Sequence, residues 1–227
     1  NLVVSDLSFK TSISPFALAF DGTNDYIEVP NSTDFNQNLY SFSFWINNNI
    51  NTGTVVQGIV TCDSATRGWV VFQRGDKLEI DQAGVHGVDS VGFFNSINKW
   101  IHVGITFDGT NTSVFRNGQL LNTSTSGGVL QSNGNALLIG DNSFATGRFF
   151  NGKLSNVSIW NTALTSAQVT EIYSEGVPSN LNNHSAYSNL VSWWQLGSNS
   201  SFNTNWTVLD EKGSNNGTSV NMTEDDI

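Results

Sequence analysis

Side chains along Tyr40–Ile46 alternate with a period of two. Tyr40, Phe42, Phe44 and Ile46 fall on one side of an extended chain, and Ser41, Ser43 and Trp45 on the other. Successive residues of a strand point to opposite faces, so this run buries one continuous face only as a β-strand. Trp100–Phe107 and Lys153–Trp160 read the same way. Turn dipeptides separate the runs: Asp21-Gly22, Gly75-Asp76, Asp108-Gly109, Asn117-Gly118 and Asn151-Gly152. Phe115-Arg-Asn-Gly-Gln-Leu120 is the clearest hairpin, because a type I′ turn needs positive φ at both central residues and Asn-Gly tolerates it. Short strands with turn signals at a spacing of ~8–12 residues point to an all-β sandwich or barrel.

One segment departs from this pattern. Thr165 followed three residues later by Gln168 is a capping-box pair, and Gly176 is a stop signal, so one short helix is expected between them, at the sandwich edge. Residues 179–189 read as a connector, after which Leu190–Leu196 and Trp206–Leu209 resume strand character. The stretch 190–227 is too short to bury a core alone. The expectation is a single domain over 1–227, with 190–227 adding strands to the same sandwich; the alternative is that the tail begins a second copy. The acidic end, Glu224–Ile227, is expected to fray.

Composition removes several functions. Nine Lys and Arg against 19 Asp and Glu give a net charge of −10, which argues against nucleic-acid binding through phosphate neutralisation. No apolar run reaches the ~20 residues of a membrane span, so no membrane insertion is expected. The chain opens at Asn1 with nothing like a signal peptide, and is read as a processed or excised piece. Cys62 is the single cysteine, which excludes an internal disulfide and a cysteine-based metal site, and the three scattered histidines argue against zinc. Only 12% of residues are charged, so amides and hydroxyls supply most of the polarity. Asn-X-Ser/Thr triplets are abundant and arise by chance in such a chain.

Calcium is the better metal hypothesis, since hard cations take carboxylate, amide and carbonyl oxygens. Asp21, Asn24 and Asp25 share one tight turn and could converge on a structural Ca2+; the plainer reading is a turn fixed by Asx hydrogen bonds. For glycan binding, an aromatic platform beside amides is needed. Trp45, Trp69, Trp100, Trp160 and Trp193 are expected in the core. Trp206, among Asn203, Thr204 and Asn205, is the candidate for exposure. Asp141, Asn142, Phe144 and Arg148 lie in the polar stretch Gly140–Arg148 between two strands, where sandwiches carry ligand loops. No Gly-X-Ser-X-Gly elbow or phosphate loop is present.

A family likeness rests on Ala17-Leu-Ala-Phe-Asp-Gly-Thr-Asn-Asp-Tyr-Ile-Glu-Val-Pro30, Phe42–Trp45, Lys99–Gly109, Val114–Gln119 and Phe150–Thr165. In this order, over about residues 17–176, they resemble laminin-G-like, concanavalin A-like jelly-roll domains. The resemblance implies a two-sheet antiparallel jelly-roll sandwich. It also implies a structural calcium near the Asp21 turn, with Asp210 as a further ligand, while Asn156 stands where the family often has an acid. Leu190–Leu196 and Leu209–Thr218 resemble a piece that normally precedes the Phe20-Asp-Gly signature. Glu79-Ile-Asp81 resembles the start of the Glu-X-Asp-X-X-Glu strand of retaining β-glucanases. Gly84 replaces the acid of that motif and Ala83 offers no substitute, so general-acid help worth ~10²–10⁴-fold is missing. Asn-rich, tail-heavy versions of the domain resemble virion proteins of marine phages.

The expectation is a non-catalytic, lectin-like recognition or structural module, extracellular or on a virion surface as a capsid decoration or fibre. Its partners would be glycans or sister subunits in a homo-oligomer or virion. The alternatives are a secreted bacterial carbohydrate-binding module and, third, a degenerate laminarinase-like hydrolase.

Overall fold

The computed structural model describes residues 17–63, 68–82, 84–142, 144–197 and 199–227; Ala83 lies outside them, and nothing is placed there. Two antiparallel sheets form the sandwich. The first runs β1 (Leu18–Asp21), β12 (Asn151–Trp160), β3 (Tyr40–Asn48), β8 (Trp100–Phe107), β9 (Thr112–Arg116) and β10 (Gln119–Ser124), with β13 (Leu190–Trp194) also paired to β12. The second runs β14 (Ser201–Asn203), β15 (Asn205–Val208), β16 (Gly217–Val220), β2 (Tyr26–Val29), β11 (Leu137–Ile139), β4 (Val56–Cys62), β5 (Trp69–Arg74), β6 (Lys77–Gln82) and β7 (Val85–Ser90). This is the two-layer jelly roll that the alternation calls for.

The core lies between the sheets. Tyr40, Phe42, Phe44 and Ile46 on β3 meet Trp69 and Val71 on β5 and Leu78 and Ile80 on β6. Phe42 and Trp69 rings sit 5.0 Å apart across the layers. The Asn117-Gly118 turn has φ of 51° and 75° and joins β9 to β10 with Arg116 opposite Gln119, the tight hairpin that those two residues permit.

The other face of β3 is also buried. The helix α1 (Ser166–Tyr173) lies across the outer face of the first sheet, not along its edge as expected from sequence. Its N-terminus carries the capping box: Gln168 N–H donates to Thr165 Oγ1 at 3.3 Å, and Thr165 N–H donates to Gln168 Oε1 at 2.9 Å. Val169 and Ile172 join Trp160, Leu164, Leu181, Leu190 and Trp193 in a second, smaller core. Trp45 stacks on Tyr173 at 5.8 Å there. His102 is sealed beneath this layer, its Nε2 2.9 Å from Ser43 Oγ, and burial pushes its imidazole down to about 3. Gly104 makes room for the helix, since a Cβ there would stand 2.8 Å from Val169.

The chain's end contributes to both sheets. β13 pairs with β12, Trp193 opposite Ser158, and β16 pairs with β2, Ser219 opposite Ile27. Asp226 O accepts Ala19 N–H at 2.7 Å beside β1. Among the described residues, no helix is long and apolar enough to cross a membrane.

Candidate functional site

On the second sheet the residues that point away from the core are Tyr26 and Glu28 on β2, Leu138 on β11, Thr61 on β4, Val70, Phe72 and Arg74 on β5, and Glu79 and Asp81 on β6. They alternate with core residues such as Ile27, Trp69, Val71, Leu78 and Ile80. Residues 140–142 and 144–148 fold over this face. The loop is clamped to β4 at three points: Gly140 N–H donates to Ile59 O (3.0 Å), Thr61 Oγ1 donates to Asp141 O (2.7 Å), and Gly58 N–H donates to Arg148 O (2.8 Å). Inside it, the buried Asn142 accepts Phe144 N–H on Oδ1 at 3.0 Å. A glycine at 58 is a steric requirement, because a Cβ would lie 2.4 Å from the Asp141 carbonyl.

Two depressions adjoin beneath the loop and share Asp63. One, of about 190 Å³, is lined by Tyr26, Glu28, Asp63, Leu138 and Asp141. The other, of about 180 Å³, is lined by Asp63, Phe72, Arg74, Asp81, Phe144 and Arg148. Together they make a trough across β2, β11, β4, β5 and β6, about 19 Å at the usual ~4.8 Å between strands. Arg74 Nε donates to both Glu79 oxygens (3.0 and 3.2 Å), and Asp81 Oδ1 lies 2.6 Å from His86 Nδ1. Burial raises the carboxyl of Asp141 above its ordinary value, and burial, then the nearby Glu28 and Asp141, raise the Tyr26 phenol. A larger hollow of about 690 Å³ lies where β7 approaches β10; His86, Asp89, Asn122 and a run of hydroxyls line it, with no Phe, Tyr or Trp among them.

The structure thus gathers Asn142, Phe144 and Arg148 in one depression and places Asp141 in its neighbour. Trp206 is not with them, and its expected exposure is corrected. It is 5% exposed, packs in the inter-sheet core against Phe202 at 5.4 Å, and donates Nε1–H to Thr223 O at 2.7 Å. β15 places it on the inward phase of the strand, and the polar neighbours that suggested a loop face out. Trp100, expected in the core, is instead 42% exposed, because it opens β8 at the rim. Phe72, Asp63 and Arg74 were not expected in a site. Asp63 follows β4, and β5, which carries Phe72 and Arg74, is apolar on both faces over Trp69–Phe72, so alternation alone does not mark which residues turn outward.

The acidic strand is engaged rather than poised. Glu79 is only 5% exposed and held by Arg74. Gly84, in the position of the glucanase acid, lies at the rim of the depression with φ of 85° and open space where a Cβ would be.

Of the residues singled out for calcium, Asp21, Asn24 and Asp25 share one turn and Asp210 lies apart. Asp21 Oδ1 accepts Thr23 and Asn24 N–H (2.6 and 3.2 Å), and Asp25 Oδ2 accepts Asp21 N–H (3.0 Å), which is the Asx arrangement of a closed turn. Burial pushes Asp21 up, but its N–H donors outweigh that and hold it below its ordinary range. Asp25 rises to about 6, through burial first and then the charges of Asp21 and Asp226. Asp210 takes Trp193 N–H (2.9 Å), Lys212 N–H and Asn215 N–H (both 3.1 Å). Asp21 pairs with Asn151 and Trp193 with Ser158, so Asp210 sits seven residues along β12 from the turn, about 23 Å at ~3.3 Å per residue. Among the described residues no three His, Cys, Asp or Glu side chains converge as a metal site. The four residues, as placed, do not fit one calcium ion. Asn156 in turn accepts Trp193 Nε1–H at 3.2 Å, a packing role.

Fold and trough define a concanavalin A-like jelly roll with a loop-roofed outer sheet face. The profile of the concanavalin A-like lectin/glucanases superfamily matches residues 21–170, and the chain belongs to this superfamily. Among solved structures, a protein of Bacteroides ovatus ATCC 8483 assigned as carbohydrate-binding is similar with a TM-score of 0.70 and 20% identity, over 91% of this chain and 58% of that one. The chain thus spans somewhat over half the length of that relative. Domain 4 of AbnA, an extracellular GH43 arabinanase of Geobacillus stearothermophilus solved with arabinotriose, is similar with a TM-score of 0.56 and 20% identity, over 69% of this chain and 76% of that one. The binding domain of Paraclostridial Mosquitocidal Protein 1 follows with a TM-score of 0.52 and 14% identity, over 74% of this chain and 48% of that one. At these identities the likeness is one of fold. No curated protein matches the chain in sequence.

Proposed function

We propose that this chain is a non-catalytic carbohydrate-recognition module that holds an oligosaccharide in the trough across β2, β11, β4, β5 and β6, beneath the 140–148 loop. The carrying observation is that a loop pinned to β4 presents Phe144 and Asn142 against a strand face bearing Asp63 and Asp81. An aromatic ring offers a flat apolar face to a sugar ring, and carboxylates and amides bind its hydroxyls. A site fixed before binding loses little ordering entropy. The structural likeness to a carbohydrate-binding protein and to a domain solved with arabinotriose supports this reading. Engagement of Glu79 by Arg74, and glycine at the place of the general acid, support recognition without hydrolysis. Display outside the cell or on a virion is the setting we propose, supported by the weakly charged, amide-rich composition.

The test is a glycan array probed with the wild type, Phe144→Ala and Asp81→Asn. A discrete set of bound glycans, with both variants weakened about tenfold or more at unchanged melting temperature, is the expected result. An array without binders, or variants that bind like the wild type, would overturn the proposal.

A further inference from the structure

Among the described residues, two cations line the depression on β5 and β6, and they differ. Arg74 is committed to Glu79 through a forked contact. Arg148 makes no ion pair, and its guanidinium no hydrogen bond, among the described residues; it stands 6.0 Å over the ring of Phe144. Its backbone is fixed by Gly58 N–H, so the side chain projects from a clamped point. Phe144 is itself 39% exposed. A guanidinium with five donors, held on an aromatic face and facing a sugar trough, is a receptor for a planar or tetrahedral oxyanion.

The surroundings limit how much negative charge such a ligand carries. Asp63 and Asp81 line the same depression, Glu79 pairs with its Arg74, and the whole chain carries a net charge of −10. A charge-dense polyanion would be repelled by these groups. A ligand with one acid group among neutral sugars escapes that: its hydroxyls meet the carboxylates while its acid meets Arg148.

Resting on the carbohydrate reading of the trough, we infer that the site selects sparsely charged acidic oligosaccharides, Arg148 pairing with an isolated uronate or sulfate group of the chain. Arg148 is then a specificity residue, and Phe144 the platform that orients it.

Calorimetry with two matched pairs tests this and separates the two acid sources. The uronate pair is xylotetraose and glucuronate-substituted xylotetraose. The sulfate pair is desulfated neocarratetraose and sulfated neocarratetraose. The expected result is that in at least one pair the acidic member binds about tenfold tighter, the pair showing which oxyanion is read. Arg148→Gln should erase that margin, and Arg148→Lys should restore part of it. Equal binding of acidic and neutral members, or a preference that survives Arg148→Gln, overturns the inference while the carbohydrate site stands. Heparin binding tighter than every tetrasaccharide overturns the limit on charge density. If none of the four tetrasaccharides binds and the array is also blank, both readings fall together.

Discussion

Gly58 donates its backbone N–H to the carbonyl of Arg148 at 2.8 Å, with no room for a Cβ between β4 and the Asp141 carbonyl. This contact joins a core strand to the 140–148 loop. Gly58→Ala should therefore displace the loop, cost about 1–3 kcal/mol of stability, and weaken glycan binding by at least as much as Phe144→Ala. Chemical denaturation and calorimetry on one sample check both, and an alanine variant with wild-type affinity would show that the clamp is dispensable.

Trp206 is a buried core residue, and its expected effect is on stability rather than on binding. Truncation to Ala removes a buried ring and orphans the Thr223 carbonyl, at a cost of about 3–5 kcal/mol. Trp206→Phe keeps most of the volume, so its melting temperature should fall only modestly and its glycan affinity should equal the wild type's. A selective loss of affinity in the folded Phe variant would place the tail in the site.

Asp25 makes stability depend on pH. Its folded value of about 6 lies above the ordinary 3.8, so its contribution is fully present below pH 3.8 and is lost as pH rises through 6. Asp25→Asn removes the buried charge and can still accept Asp21 N–H through its amide oxygen. The variant should be more stable than the wild type at pH 7.5, by no more than about 3 kcal/mol, with the advantage gone by pH 4. His102 acts oppositely: its folded value of about 3 lies below 6.5, so its contribution is present above pH 6.5 and lost as pH falls through 3. Denaturation of both proteins across pH 3.5–8 checks the window, and a difference independent of pH would contradict it.

The Asp21 turn closes on its own N–H donors and lies far from Asp210. The melting temperature should be the same in EDTA and in millimolar calcium. A calcium-dependent rise, abolished by Asp21→Asn, would show that the turn opens to take the ion.

Glu79 is a structural partner of Arg74. Neither the wild type nor Glu79→Gln should release reducing ends from laminarin, and the variant, whose amide oxygen still accepts from the 45% exposed Arg74, should lose about 1 kcal/mol or less. Turnover by the wild type that Glu79→Gln abolishes would make the chain a hydrolase.

Much of the sandwich was legible because period-two burial is written into single strands. Tyr40–Ile46 shows its core face unaided, and Asn117-Gly118 and Thr165 with Gln168 mark a hairpin and a helix start through local chemistry. What the sequence hides depends on contacts between distant segments. Trp45 and Trp69 read alike as buried, yet one faces the helix and the other the inter-sheet core. Trp206 and Trp100 exchanged their expected places, since exposure follows from which strand end lies at the rim. Loop 140–148 was visible as a candidate from its polarity, but its floor of Phe72, Asp63 and Asp81 required knowing that β4, β5 and β6 lie side by side beneath it.

A crystal structure with the tightest glycan from the array is the most direct measurement of where sugar binds. Electron density for a sugar ring against Phe144, with hydroxyls within hydrogen-bond distance of Asp63 or Asp81, is the result this account requires. A glycan bound at the β7–β10 hollow or along the tail, with the trough empty, would contradict it.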